Sequence, residues 1–385
     1  MRIAVILAAS LALTAAVIRA QSEEDDDEND MDYFPLVPSG KSLQFGLRYV
    51  GGPKVTFKNV GTVPIDQTLE DTISPVDRVY DDGYVSVDSR QDSYGNPAND
   101  GLTNTWNYNY TSQVTSDGDI AMHLYNTTSL GTILRAKNNT AAGWELRAAK
   151  KVAKLGRKID LSLMAGFTFS EMNAKSKTNV LATLTTMTDV YSLYGQDVPS
   201  AAYTGPTSTT VVVYDANGNP VLGATGSAET KTVDTSTLIS STPTSRTYTT
   251  STAYVKGRWQ VRGGYYTLRA GPVIQIPYSE RLKFTVSAGA GVMYVGAKYE
   301  ELESILIDDT LAAVIHSEEK NHSVFMPAFF VDADAEYWMT ERTGVYMGAT
   351  YQVSRRFNVS LSDDSSATID FGTTSGIRSG VTLRF

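Results

Sequence analysis

Several long stretches of this chain alternate between apolar and polar residues with a period of two. Over 281–296, Leu282, Phe284, Val286, Ala288, Ala290, Val292 and Tyr294 fall on one side; Lys283, Thr285, Ser287, Gly289, Gly291 and Met293 fall on the other. A strand turns successive side chains to opposite faces, so this spacing predicts a strand with one continuous apolar face. Segment 159–169 repeats it, with Ile159, Leu161, Leu163, Ala165, Phe167 and Phe169 against Asp160, Ser162, Met164, Gly166 and Thr168. Segments 325–337 and 343–353 do so again. These runs are about twice the usual strand length of about five or six residues. A tilted strand crossing a bilayer needs roughly 9–11. Alternation at that length predicts an all-β fold, a transmembrane antiparallel up-and-down β-barrel.

The connections alternate between short and long, as the two ends of such a barrel require. Tight turns are expected at 154–158, 277–281 and 339–342, and long polar stretches at about 51–142, 171–252, 298–321 and 355–367. Eight wall strands follow, at roughly 43–50, 143–153, 159–170, 255–276, 281–297, 322–338, 343–354 and 369–385. Segments 106–110 and 118–125 also alternate, and 211–222 carries an Asn-Gly hairpin signal. They are expected as strands above the wall; counted into it, they raise the number to ten or twelve. Around Gly263-Gly264 the apolar side of the fourth strand changes parity, which predicts a β-bulge.

The N-terminus changes the picture of where the chain resides. Arg2 precedes an uncharged apolar run from Ile3 to Ile18, too short to span a bilayer and shaped like a secretory signal peptide, cleaved after Ala20. Residues 21–42 follow as an acidic N-terminal tail, with eight carboxylates between Glu23 and Asp32. Such a run cannot bury enough apolar surface to order itself. The net charge of −9 is concentrated there, and no basic cluster in the sequence argues for nucleic acid. The chain has no cysteine, which removes disulfides and thiol chemistry.

The last residues read Arg378-Ser379-Gly380-Val381-Thr382-Leu383-Arg384-Phe385. This resembles the C-terminal assembly signal of bacterial outer-membrane proteins: polar at Arg378, then Gly380, apolar Val381 and Leu383, and aromatic Phe385. The architecture over 43–385 resembles the small OmpA/OmpX-type barrels, with longer loops. The resemblance implies a cell-outer-membrane location, with outer-membrane lipid and the barrel-assembly machinery as partners.

Placing the apolar face toward lipid points Arg48, Arg147, Lys151, Arg269, Lys283, Arg378 and Arg384 inward, together with Glu145, Asp160, Asp332, Asp334 and Glu336. An eight-stranded barrel is just wide enough to be filled by side chains, so these charges are expected to pair. The reading is a non-enzymatic barrel with a structural or surface-recognition role carried by its extracellular loops; the alternative is a porin-like transport pore or narrow ion channel. The histidines are His123, His316 and His322. His322 and Ser323 are adjacent in a strand and point apart, so they form no catalytic pair. An outer-membrane enzyme at the barrel rim is the remote alternative. No motif for a cofactor or metal occurs.

Overall fold

The computed structural model describes residues 40–65, 73–91, 94–136, 140–155, 159–306, 312–362 and 364–385. The signal peptide expected at 1–20 and the acidic tail up to residue 39 lie outside the described residues.

Eight strands of the nine-stranded main sheet form a ring: β1 (Lys41–Gly51), β2 (Thr140–Leu155), β3 (Ile159–Tyr191), β4 (Ser245–Pro277), β5 (Leu282–Leu306), β6 (Ala312–Trp338), β7 (Thr343–Val353) and β8 (Thr374–Arg384). Each pairs antiparallel with the next, and β8 returns to β1 through Leu43↔Leu383 and Phe45↔Val381, so the ladder forms a ring. Among the described residues there is no α-helix.

In the lower part of the ring the polarity is that expected from the alternation. On β5, Phe284, Val286 and Val292 are exposed outward, while Thr285 and Ser287 are buried inward. On β1, Phe45, Leu47 and Tyr49 face out and Gln44 and Arg48 face in. The outward band ends in linked aromatics across five strands: Trp144 with Phe167 (5.3 Å), Phe169 with Tyr266 (4.9 Å), Tyr266 with Tyr294 (6.3 Å) and Tyr294 with Phe325 (4.9 Å).

Above these aromatics the polarity inverts without any change of register. Inward positions become apolar and buried, with Val255, Trp259 and Val261 on β4 and Val295, Tyr299 and Ile305 on β5. Outward positions become polar, with Arg258, Arg262, Lys298 and Glu300. The bulge expected at Gly263-Gly264 is therefore absent: the ladders of β4 run unbroken through both glycines to β3 and β5. What changes there is the chemistry of each face. Gly263, at φ +156, brings β4 close to β5, and a Cβ would collide with the Gly296 carbonyl oxygen. A bulge does occur between β2 and β3, at Leu161/Ser162.

The inversion also explains why four strands outrun their sequence estimates. β3 and β4 each have 33 residues, β5 has 25 and β6 has 27. Their inner faces are covered by the long connections, which fold. Strands Lys54–Lys58, Ile133–Arg135, Arg356–Ser360 and Ser366–Asp370 form a small sheet. Its Val55, Phe57, Val359, Ile369 and the adjoining Phe371 share one core with Val180, Val255, Trp259 and Tyr299. A second core higher up joins Trp106, Tyr108, Tyr203 and Ile239 to Met187 and Tyr191 of β3. Strand Trp106–Tyr108 pairs with Gly83–Val85 and Tyr203–Thr204, and Ser208–Val212 pairs with Thr230–Asp234. Ile120–Ser129 pairs with the upper half of β3 and is the ninth strand of the main sheet. None of these segments enters the ring.

Candidate functional site: the charged interior and its folded mouth

The inward charges of the lower ring meet in one buried cluster. Arg269 reaches Asp332 (2.9 Å) and Glu145 (3.1 Å). Arg378 reaches Glu145 (2.7 Å), Asp334 (3.3 Å) and Asp332. Arg147 lies 3.3 Å from Asp334, and Arg48 lies 3.9 Å from Glu145. Neutral donors complete the carboxylate shells: Thr350 to Asp332 (2.7 Å), Tyr346 to Glu145 (2.8 Å) and Gln44 to Glu336 (2.8 Å). The cluster holds four guanidiniums and four carboxylates, and all eight side chains are buried. Ions taken from water cost several kcal/mol each unless opposite charges and hydrogen bonds replace the lost hydration. The alternating salt bridges do this, and the side chains occupy the space inside the ring.

Not every inward charge joins it. Lys151 pairs with Asp160 at the short-turn end (2.6 Å). Arg384 stacks on the Trp338 ring (3.9 Å), and Lys283 lies 6.0 Å from the same ring. The terminal residues divide by parity. Arg378 is at the centre of the cluster, while Val381, Leu383 and Phe385 are exposed outward. Gly380 lies across from Gly46 and Tyr346, and a Cβ there would strike the Phe45 carbonyl oxygen. Gly46 leaves room for the Tyr346 hydroxyl, which a Cβ there would strike.

Above the cluster, the small sheet is fastened by carboxyls on the inner face of β5. Glu303 Oε1 accepts from the Trp259 indole N–H (2.7 Å) and the Gly61 backbone N–H (2.7 Å). Glu301 Oε2 accepts from the hydroxyls of Tyr299 (2.6 Å) and Ser365 (2.7 Å). Burial, and then the neighbouring Glu301 carboxyl, push Glu303 up to about 9, so it carries a proton at neutral pH. Gly61 belongs to the first long connection and Ser365 to the last, so this one strand holds both. Higher still, Asp189 takes both arms of Arg246 (2.6 Å each) and the Tyr80 hydroxyl (2.6 Å). Burial and the neighbouring Tyr191 raise Tyr80, and burial raises Tyr191 to about 12.

No sequence motif marks these upper groups as a site. Parity would have placed Glu301 and Glu303 on the inner face of an extended β5, but the extension itself was hidden by the polarity inversion. His123 Nδ1 lies 2.6 Å from Asp82, fastening the Arg78–Val85 hairpin to strand Ile120–Ser129. The two residues are 41 apart, and no periodicity links them. His322 stacks on Phe357 (5.5 Å), and His316 lies 4.0 Å from Glu318.

No family model matches the chain, and no curated protein matches it. Among solved structures, similar chains include the outer membrane protease OmpT from Escherichia coli (TM-score 0.28, 9% identity, 92% of this chain and 100% of that one). Ail, the attachment invasion locus protein of Yersinia pestis, aligns with TM-score 0.24 and 10% identity over 90% of this chain and 99% of its own. A Pseudomonas aeruginosa FadL homologue aligns with TM-score 0.19 and 8% identity over 89% and 90%. At such scores nothing of these proteins' strand counts or activities is carried to this chain.

Proposed function

We propose that this chain is an outer-membrane β-barrel of eight wall strands, with a structural or surface-recognition role carried by its folded outer connections. The observation that supports the reading is the inside-out polarity of the lower ring. Apolar side chains are exposed outward on successive strands, above all Phe45, Leu47, Leu163, Leu268, Phe325, Met347 and Ile377, while eight charges are buried inside. In water this arrangement would expose a contiguous apolar belt, which soluble monomers avoid. In a bilayer it satisfies both faces. From Phe284 to Tyr294 the outward face of β5 spans about 33 Å at about 3.3 Å per residue. Tilted as barrel strands are, that gives an apolar height of about 25 Å, the value for outer-membrane barrels. The linked aromatics then form the outer girdle and Phe385 the periplasmic one.

The interior favours this role over the pore alternative. A solute path would have to pass the Arg269–Asp332–Arg378–Glu145 cluster and then the core under Trp259 and Phe371. The test is conductance of the refolded full chain in planar bilayers, with and without residues 208–234, a hairpin of the outer connection between β3 and β4 that lies outside the wall strands. Small or no channels and no sugar permeation are expected. Large, stable channels that pass sugars would overturn the reading in favour of transport.

A further inference from the structure

Above the aromatic girdle, the outer face of the extended sheet carries six cations on three adjacent strands: Lys175 and Lys177 on β3, Lys256, Arg258 and Arg262 on β4, and Lys298 on β5. The register sets them side by side. Lys177 is opposite Arg258, Lys175 is opposite Gln260, and Arg262 is opposite Lys298. Two of the six are neutralised, since Glu300 pairs with Arg262 and with Lys298 (3.0 Å), and Glu319 pairs with Lys298 (2.6 Å). Lys175, Lys177, Lys256 and Arg258 are exposed and make no ion pair among the described residues. Opposed residues stand about 5 Å apart and same-face neighbours about 7 Å, so four free positive charges share a patch about 14 Å long on two strands. The chain as a whole is acidic, at −9, and repulsion among these four is not relieved from within.

We propose that this patch binds an anionic polysaccharide outside the membrane. Height distinguishes that partner from lipid headgroups, and the distinction rests on the membrane-spanning reading above. Lys175 is six residues beyond Phe169, and Arg258 is eight beyond Tyr266. At about 3.3 Å per residue and a barrel tilt, they stand roughly 14–19 Å above the girdle. The headgroup layer of one leaflet is only about 5–8 Å thick. The side chain nearest that layer on β3 is Glu171, an anion that would repel lipid phosphates. A linear chain bearing sulfate or carboxylate groups a few ångströms apart can meet several of the cations at once.

The test uses the full chain in nanodiscs of phosphatidylcholine, titrated with dextran sulfate and with polygalacturonate. Binding of at least one is expected, weakened steeply by salt. The variant K175Q/K177Q/K256Q/R258Q should bind at least tenfold more weakly, while K41Q/K150Q/R281Q/R342Q, which removes four exposed cations at the opposite end, should bind as the wild type does. Unchanged affinity in the first variant, or equal loss in both, overturns the proposal. So does binding to nanodiscs or vesicles containing phosphatidylglycerol without binding to either polysaccharide, which would make the partner a lipid. Failure to insert into nanodiscs would contradict the membrane reading instead; polysaccharide binding measured in detergent micelles with the same variants then still decides the proposal.

Discussion

At the residue scale, a few buried charges hold the ring interior, and Asp332 is the one that the most partners converge on. Asp332 receives Arg269, Arg378 and the Thr350 hydroxyl. Asp332→Ala leaves two guanidiniums short of a partner, and breaking a buried pair costs about 3–5 kcal/mol. The exposed pair Lys298–Glu319 is worth at most about 1 kcal/mol. Urea unfolding in lipid should therefore separate Asp332→Ala from Lys298→Gln by several kcal/mol; equal, small effects would mean that the cluster is solvated. Phe385 belongs to the same scale. Its ring is exposed at the edge of the apolar band, so it adds little to packing. Deleting it should lower the amount of assembled protein in the cell while leaving the in vitro refolded protein heat-modifiable on gels. Unchanged cellular levels would mean that the terminal aromatic is not read during assembly.

At the element scale, β5 serves two environments in one continuous strand. Below Tyr294 its outer face is apolar, and above it the inner face is. The lower half is legible in the sequence because alternation there has one continuous apolar side. The pattern is lost near residue 297, since the apolar side changes while the strand does not. The same cause produced the expected bulge at Gly263-Gly264. The carboxyls of the upper half make the attachment of the small sheet sensitive to pH. Glu303 has its folded value raised to about 9 from an ordinary 4.5. A raised folded value contributes stability that is fully present below about 4.5 and is lost as pH rises toward 9. Hydrogen exchange at the Gly61 amide, which donates to Glu303, should therefore show an opening free energy that falls over that window. Glu303→Gln keeps the acceptor oxygen and removes the titration, so the decline should vanish. A decline that persists in the variant would assign it to another group.

At the scale of the whole molecule, eight strands and their alternating connection lengths were legible because the period-two pattern and the turns are local signals. The inward set at Arg269, Asp332, Asp334, Glu336 and Arg378 followed from parity alone; which charge meets which did not, because Glu145 and Arg378 are 233 positions apart and are joined only by ring closure. Within the long connections, the alternation at 106–110 and 118–125 and the hairpin signal at 211–222 are legible; the other strands are not, since they are short and pair with distant segments, as Lys54–Lys58 does with Ser366–Asp370. The central claim is that the lower ring is embedded in lipid with its charges inside. The natural chain has no cysteine, so single cysteines can be placed along β5 without background. Spin labels at 284, 286, 288, 290, 292 and 294 of the protein in lipid should collide with oxygen and not with a water-soluble nickel reagent, while labels at 298, 300 and 302 should show the reverse. Water accessibility along the whole outward face from 284 to 302 would contradict the account.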